Sequence, residues 1–176
     1  MLQKVVLSCL LLVAGVEAWG AGDSTYLLGP GDVISIRVFG EEELTFEQVR
    51  LTDAGTVSYP FLGEVRAAGK TAAELEAIII RGLMGDYLVD PKVSVRILEY
   101  RDFYVNGEVK SPGGYAFQPG LTVRKAVALA GGFTEWASKG KIMVIRDADP
   151  ERKAEPAKLD TPVMPGDIIT IDQGLF

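Results

Sequence analysis

At 176 residues, 48% hydrophobic and 24% charged, the chain has room for one ordinary domain or two small ones and the composition of a folded protein. A net charge of −6 argues against the basic surface that nucleic-acid binding needs. The chain has no histidine, which removes the commonest general base and metal ligand, and its single cysteine, Cys9, lies near the start.

The first eighteen residues read as an export signal. Lys4 supplies the positive charge, an apolar run of about eleven residues follows, and Val16 and Ala18 are the small residues before a cut placed after Ala18. This run is shorter than the roughly 20 residues of a spanning helix. A second reading makes Cys9 of Val6-Leu7-Ser8-Cys9 a lipidated first residue, but it leaves almost no apolar run ahead of the cut. After Ala18 no stretch is apolar enough to cross a bilayer as a helix, so the mature protein is expected outside the cytoplasmic membrane, free of thiols and disulfides.

Residues 19–98 form the first expected unit. Ile34, Ile36 and Val38 alternate within a strand from Val33 to Phe39. Strands at Glu47–Thr52 and Val57–Phe61 flank the turn Asp53-Ala54-Gly55 and are expected to pair as a hairpin. Thr71 and Glu74 make a capping box for a helix whose apolar stripe is Leu75, Ile78, Ile79 and Leu83. Asp90-Pro91 breaks the chain before a strand carrying Val93, Val95 and Ile97.

Residues 99–176 repeat the plan. A strand over Phe103–Val109, a turn at Ser111-Pro112-Gly113-Gly114 and a return over Tyr115–Phe117 precede a helix capped by Thr122 and ended by Gly131-Gly132. A strand follows at Ile142–Ile145, and Asp147–Asp160, with Pro150 and Pro156, reads as an exposed loop. Pro30-Gly31-Asp32-Val33-Ile34-Ser35-Ile36 recurs as Pro165-Gly166-Asp167-Ile168-Ile169-Thr170-Ile171. In both copies proline and glycine set a turn, aspartate binds backbone there and the apolar run enters a sheet. The fold class is α+β, each unit a small sheet packed by one helix.

Catalytic signatures are missing. There is no G-x-S-x-G motif and no phosphate-cradling glycine loop, and Glu41-Glu42-Glu43 is explained by a solvated loop. No catalytic residue, metal site or cofactor is therefore assigned. Tyr59 and Phe61 are the candidate polymer-contact residues. They straddle Pro60, which favours an edge or a protruding turn, and flat aromatic faces suit sugar rings.

The motifs also resemble known domains. Tyr26 to Ile36, Asp53 to Val65, Gly69-Lys70-Thr71 and Asp90-Pro91 are similar to a polysaccharide biosynthesis/export domain. Val105 to Val109, Pro112 to Tyr115, Leu121-Thr122-Val123 and Ala130 to Thr134 are similar to an SLBB domain, a soluble ligand-binding β-grasp fold. In this order they resemble the outer-membrane polysaccharide export family. The resemblance implies a ring-forming homo-oligomer in the periplasm, associated with the outer membrane, which conducts capsule, exopolysaccharide or biofilm polymer. It also implies an inner-membrane polysaccharide co-polymerase as partner, and it puts Tyr59 and Phe61 near the ring's periplasmic mouth. Longer members end in an amphipathic membrane helix. Here the sequence stops at Phe176, after the last strand and a single SLBB unit, so a separate β-barrel protein is expected to complete the outer-membrane crossing. The alternatives are a monomeric periplasmic carbohydrate-binding or sensing module and, more remotely, a polysaccharide-modifying enzyme using Glu41–Glu43.

Overall fold

In the computed structural model, which describes residues 25–174, the chain forms ten strands and two α-helices. The export signal and Cys9 lie outside the described residues. β1 (Val33–Val38) is central in a three-stranded antiparallel sheet between β2 (Phe46–Arg50) and β5 (Val93–Glu99), with a 3₁₀ turn at Glu42–Leu44 joining β1 to β2. β3 (Thr56–Tyr59) and β4 (Gly63–Arg66) form a separate hairpin. α1 (Ala72–Leu83) buries Leu75, Ile79 and Leu83 against Ile34, Ile36, Val38, Val57 and Tyr59.

The expected capping box on α1 is present: Glu74 N donates to Thr71 Oγ1 at 3.2 Å, and Thr71 N donates to Glu74 Oε2 at 2.8 Å. α1 also protects the sheet. Val95 N, on the outer edge of β5, donates to Glu76 Oε1 at 2.7 Å. Glu76→Ala orphans that amide and should lower stability by about 1–2 kcal/mol, while opening the edge to self-association. Urea unfolding and light scattering of the variant check both effects.

The second unit is a five-stranded mixed sheet. Its order is β7 (Gly113–Tyr115), β6 (Phe103–Gly107), β10 (Ile168–Gln173), β8 (Ala137–Ile145) and β9 (Ala154–Ala157). The chain's last strand lies in the middle, parallel to β6 and antiparallel to β8. α2 (Val123–Leu129), capped by Thr122 Oγ1, packs Val123, Ala126 and Val127 onto Phe103, Val105, Ile142, Val144, Ile169 and Ile171. The α+β plan of two small sheets, each with one helix, is the architecture of the protein.

Four local expectations need correction. β2 pairs with β1 and not with β3; the turn at Asp53-Ala54-Gly55 forms, with Gly55 N bonded to Thr52 O at 2.8 Å, but the partner of β3 is β4. β4 has Val65 as its only buried residue and so lacks an alternating pattern to detect. β1 ends at Val38, leaving Phe39 exposed. The return strand β7 begins at Gly113, inside the segment read as a turn. Asp147–Asp160 is not all loop: it contains β9, paired to Ile142–Ile145 of β8. Pro156 argued against a strand there, yet β9 is an edge strand, where proline is tolerated.

Candidate functional site

The β3–β4 connection separates the two aromatics singled out above. Tyr59 is the last residue of β3 and is only 2% exposed. Its ring packs 5.4 Å from that of Phe46, and its hydroxyl donates to Leu44 O at 2.6 Å. Tyr59 is therefore a core residue with no ring face free for a polymer, because strand alternation turns it inward. Phe61 is 64% exposed. Leu62 N donates to Tyr59 O at 3.2 Å, closing a turn with Pro60 and Phe61 in its centre. Phe61 has φ +64°, in the left-handed region that such a turn usually gives to glycine.

The turn is held from both sides. Tyr59 ties it to the 3₁₀ turn beneath, and Leu62 packs on Gly82 of α1, where a Cβ would lie 2.7 Å from Leu62 Cδ2. Phe61 stacks on Tyr87 with ring centroids 4.6 Å apart and planes 22° apart. Val89, 95% exposed, and Met84 stand on the same α1–β5 connection as Tyr87. A strained, anchored backbone thus presents an aromatic pair at the surface, an arrangement that suits the face of a sugar ring.

Burial pushes the Tyr59 phenol up to about 12. A tyrosine whose folded value exceeds its unfolded one, near 10, stabilises the fold fully below pH 10. That contribution is lost as pH rises from about 10 to 12. Urea unfolding at pH 8 and pH 11 should show the loss, and Tyr59→Phe should reduce it.

The repeated turns carry a second device that reading the aspartates as simple turn formers missed. Asp32 and Asp167 are the two buried charged residues among those described, 0% and 1% exposed. In each turn the aspartate amide donates to the carbonyl three residues back, Gly29 or Met164, at 3.2 Å. One carboxylate oxygen accepts the amide of that same residue: Gly29 N at 2.8 Å, Met164 N at 2.9 Å. The other accepts a distant amide, Arg101 N at 2.8 Å or Asp147 N at 3.2 Å. Each also pairs with a guanidinium, Arg101 Nη1 at 3.2 Å and Arg146 Nη1 at 2.6 Å. Gly31 and Gly166, at φ +89° and +85°, supply the conformation that follows proline in both turns.

The two turns are linked. Arg101, in the segment between the domains, bonds Asp32 on one side and on the other reaches Asp147, whose Oδ2 is 3.0 Å from Arg101 Nη2. Asp147 N in turn donates to Asp167. Tyr26 donates to Asp32 at 2.7 Å and accepts from Arg101 at 2.6 Å; burial, then the Asp32 hydrogen bond, hold its phenol far above the ordinary range. Gly29 leaves room for this clasp, since a Cβ there would lie 2.4 Å from Arg101 Nη1. No buried side-chain polar atom among the described residues lacks a hydrogen-bond partner, and the cluster holds the two units together. Glu41, Glu42 and Glu43 are exposed on the 3₁₀ turn, and no cluster of metal-ligating side chains occurs among the described residues.

The profile of the polysaccharide biosynthesis/export protein family matches residues 21–98, and the SLBB domain profile matches residues 103–164. The chain belongs to the polysaccharide export family. Among curated relatives it is similar to the exopolysaccharide production protein ExoF of Rhizobium meliloti (strain 1021), 37% identical over 140 residues, which are 70% of this chain and 32% of ExoF. It is 29% identical to the EPS I polysaccharide export outer membrane protein EpsA of Ralstonia nicotianae, over 84% of this chain and 47% of EpsA. The polysialic acid transport protein KpsD of Escherichia coli is 31% identical over 51% of this chain and 16% of KpsD. The chain therefore spans about a third to a half of the length of the first two relatives. No helix among its described residues is long and apolar enough to cross a membrane.

Proposed function

We propose that this protein is a non-catalytic component of a polysaccharide export machine, working in the periplasm in association with the outer membrane. It forms or completes an oligomeric conduit for capsule, exopolysaccharide or biofilm polymer, with an inner-membrane polysaccharide co-polymerase facing it and a separate β-barrel protein completing the crossing. The observation that carries this reading is the pairing of an export domain with an SLBB domain along this chain, together with its similarity to proteins named for polysaccharide production, export and transport. The exposed Phe61–Tyr87 pair supports a polymer contact at the tip of the first domain, with Tyr59 supporting the turn from behind. A conduit must let its cargo leave, and a shallow aromatic tip gives contact without a deep well.

Mass measurement tests the conduit. The ring reading expects a large discrete assembly in native mass spectrometry or light scattering. A monomer with measurable affinity for a short oligosaccharide would favour a carbohydrate-binding or sensing module instead. Deletion of the gene should abolish surface polysaccharide, and undiminished export would end the proposal.

A further inference from the structure

Between the two domains lies an open cleft of about 870 Å³. This is within the roughly 300–1,000 Å³ of ligand sites, which favour domain boundaries. The polymer contact proposed at Phe61 does not use it. One wall is the outer face of the second sheet, where Tyr104 projects from β6 and Ile168 from the neighbouring β10. Tyr104 is 47% exposed, and its ring lies over Gly114 of β7, where a Cβ would come within 3.0 Å of Tyr104 Cε1. Leu98, half exposed on β5, faces the same space from the first domain.

The charged lining is balanced. Arg50, Arg101 and Arg152 stand against Glu99, Asp102 and Asp147, although the chain as a whole carries −6. These groups are largely paired: Arg50 lies 3.4 Å from Glu99, Arg152 lies 3.3 Å from Asp147, and Arg101 spans Asp32 and Asp147. An anionic ligand would meet three carboxylates and a cationic one three guanidiniums. A lipid chain would strip water from all six without replacing it. An uncharged polyol meets none of these penalties. Its hydroxyls donate to carboxylates and accept from guanidinium N–H groups, and the apolar face of a pyranose ring covers an aromatic.

We infer that the interdomain cleft is a saccharide subsite selective for uncharged pyranose units, with Tyr104 as its stacking platform and the Arg50–Glu99 and Arg152–Asp147 pairs as its hydrogen-bonding rim. The inference rests on the export reading only for the source of the sugar. It gives the protein a grip on the polymer apart from Phe61. Because the platform and the Arg152–Asp147 pair belong to the second domain and the Arg50–Glu99 pair to the first, the relative setting of the two domains fixes the width of the site.

The test is titration of the whole protein, followed by two-dimensional amide NMR, with neutral tetrasaccharides (cellotetraose, maltotetraose and a mannotetraose) and with tetragalacturonate as the acidic comparator. At least one neutral sugar should shift the amides of Tyr104, Glu99, Asp147 and Arg152 with millimolar affinity, and tetragalacturonate should bind more weakly. Tyr104→Ala should weaken binding about five- to tenfold. Arg152→Ala, in an exposed loop, should also weaken it and guards against a folding defect in the first variant, whereas Leu129→Ala on α2 should change nothing. No binding of any neutral sugar up to about 10 mM, binding indifferent to both cleft substitutions, or a preference for the acidic sugar would each overturn the inference. Export assays of Phe61 variants separate the two readings: if they fail to export while the cleft binds nothing, only the subsite falls.

Discussion

Asp32→Ala is expected to cost about 3–5 kcal/mol of stability, a large share of what a domain of this size possesses. The carboxylate is fully buried and accepts from the Tyr26 hydroxyl and the Gly29 and Arg101 amides, while the Arg101 guanidinium lies 3.2 Å away. Removing it orphans three donors and leaves a mostly buried cation facing its absence. Asp167→Ala should cost somewhat less, because Met164 N, Asp147 N and Arg146 lose their acceptor but no counterpart of the Tyr26 hydroxyl is orphaned. Urea-unfolding midpoints followed by circular dichroism give both values. A cycle combining Asp32→Ala with Arg101→Ala should show about 1–3 kcal/mol of coupling, the double variant losing less than the two singles together. A loss under about 1 kcal/mol for Asp32→Ala would mean that the clasp is ornamental.

The second large effect concerns transport and leaves stability nearly untouched. Phe61→Gly removes an unfavourable left-handed backbone, which costs a non-glycine residue about 1–2 kcal/mol. It also forfeits the stack on Tyr87, worth about 0.5–1.5 kcal/mol. The two nearly cancel, so folding should change by no more than about 1 kcal/mol. Exported polymer in a complemented deletion strain should nevertheless fall about fivefold or more, and Phe61→Trp should restore most of it. Wild-type export by a normally abundant Phe61→Gly protein would remove Phe61 from the polymer's path.

Those two sites differ in how far the sequence discloses them. Local chemistry is readable locally: Thr71 and Glu74 are three positions apart and announce the start of α1, and alternation in Val33–Val38 announces β1. The matched turns around Asp32 and Asp167 are equally visible, since proline, glycine and aspartate act on their own backbone. Their ion pairs are not visible, because Arg101 is 69 positions from Asp32 and Arg146 is 21 from Asp167. The same limit hides the true partner of β3 and the strand within Asp147–Asp160, whose proline and charges mimic a loop. Tyr59-Pro60-Phe61 is conspicuous as a motif, but which ring faces outward depends on the turn that Phe61 enters and on the helix beneath it. The cleft at Tyr104 exists only once the two domains are set against each other.

Pro156 has a consequence for how copies of this protein can meet. It sits in β9, the outermost strand on one flank of the five-stranded sheet, and its nitrogen carries no hydrogen. A neighbour trying to lengthen the sheet on that flank would find a missing rung in the middle of a four-residue strand. Pairing of another strand with β9 is therefore disfavoured, whereas the opposite edge, Gly113–Tyr115, carries no proline.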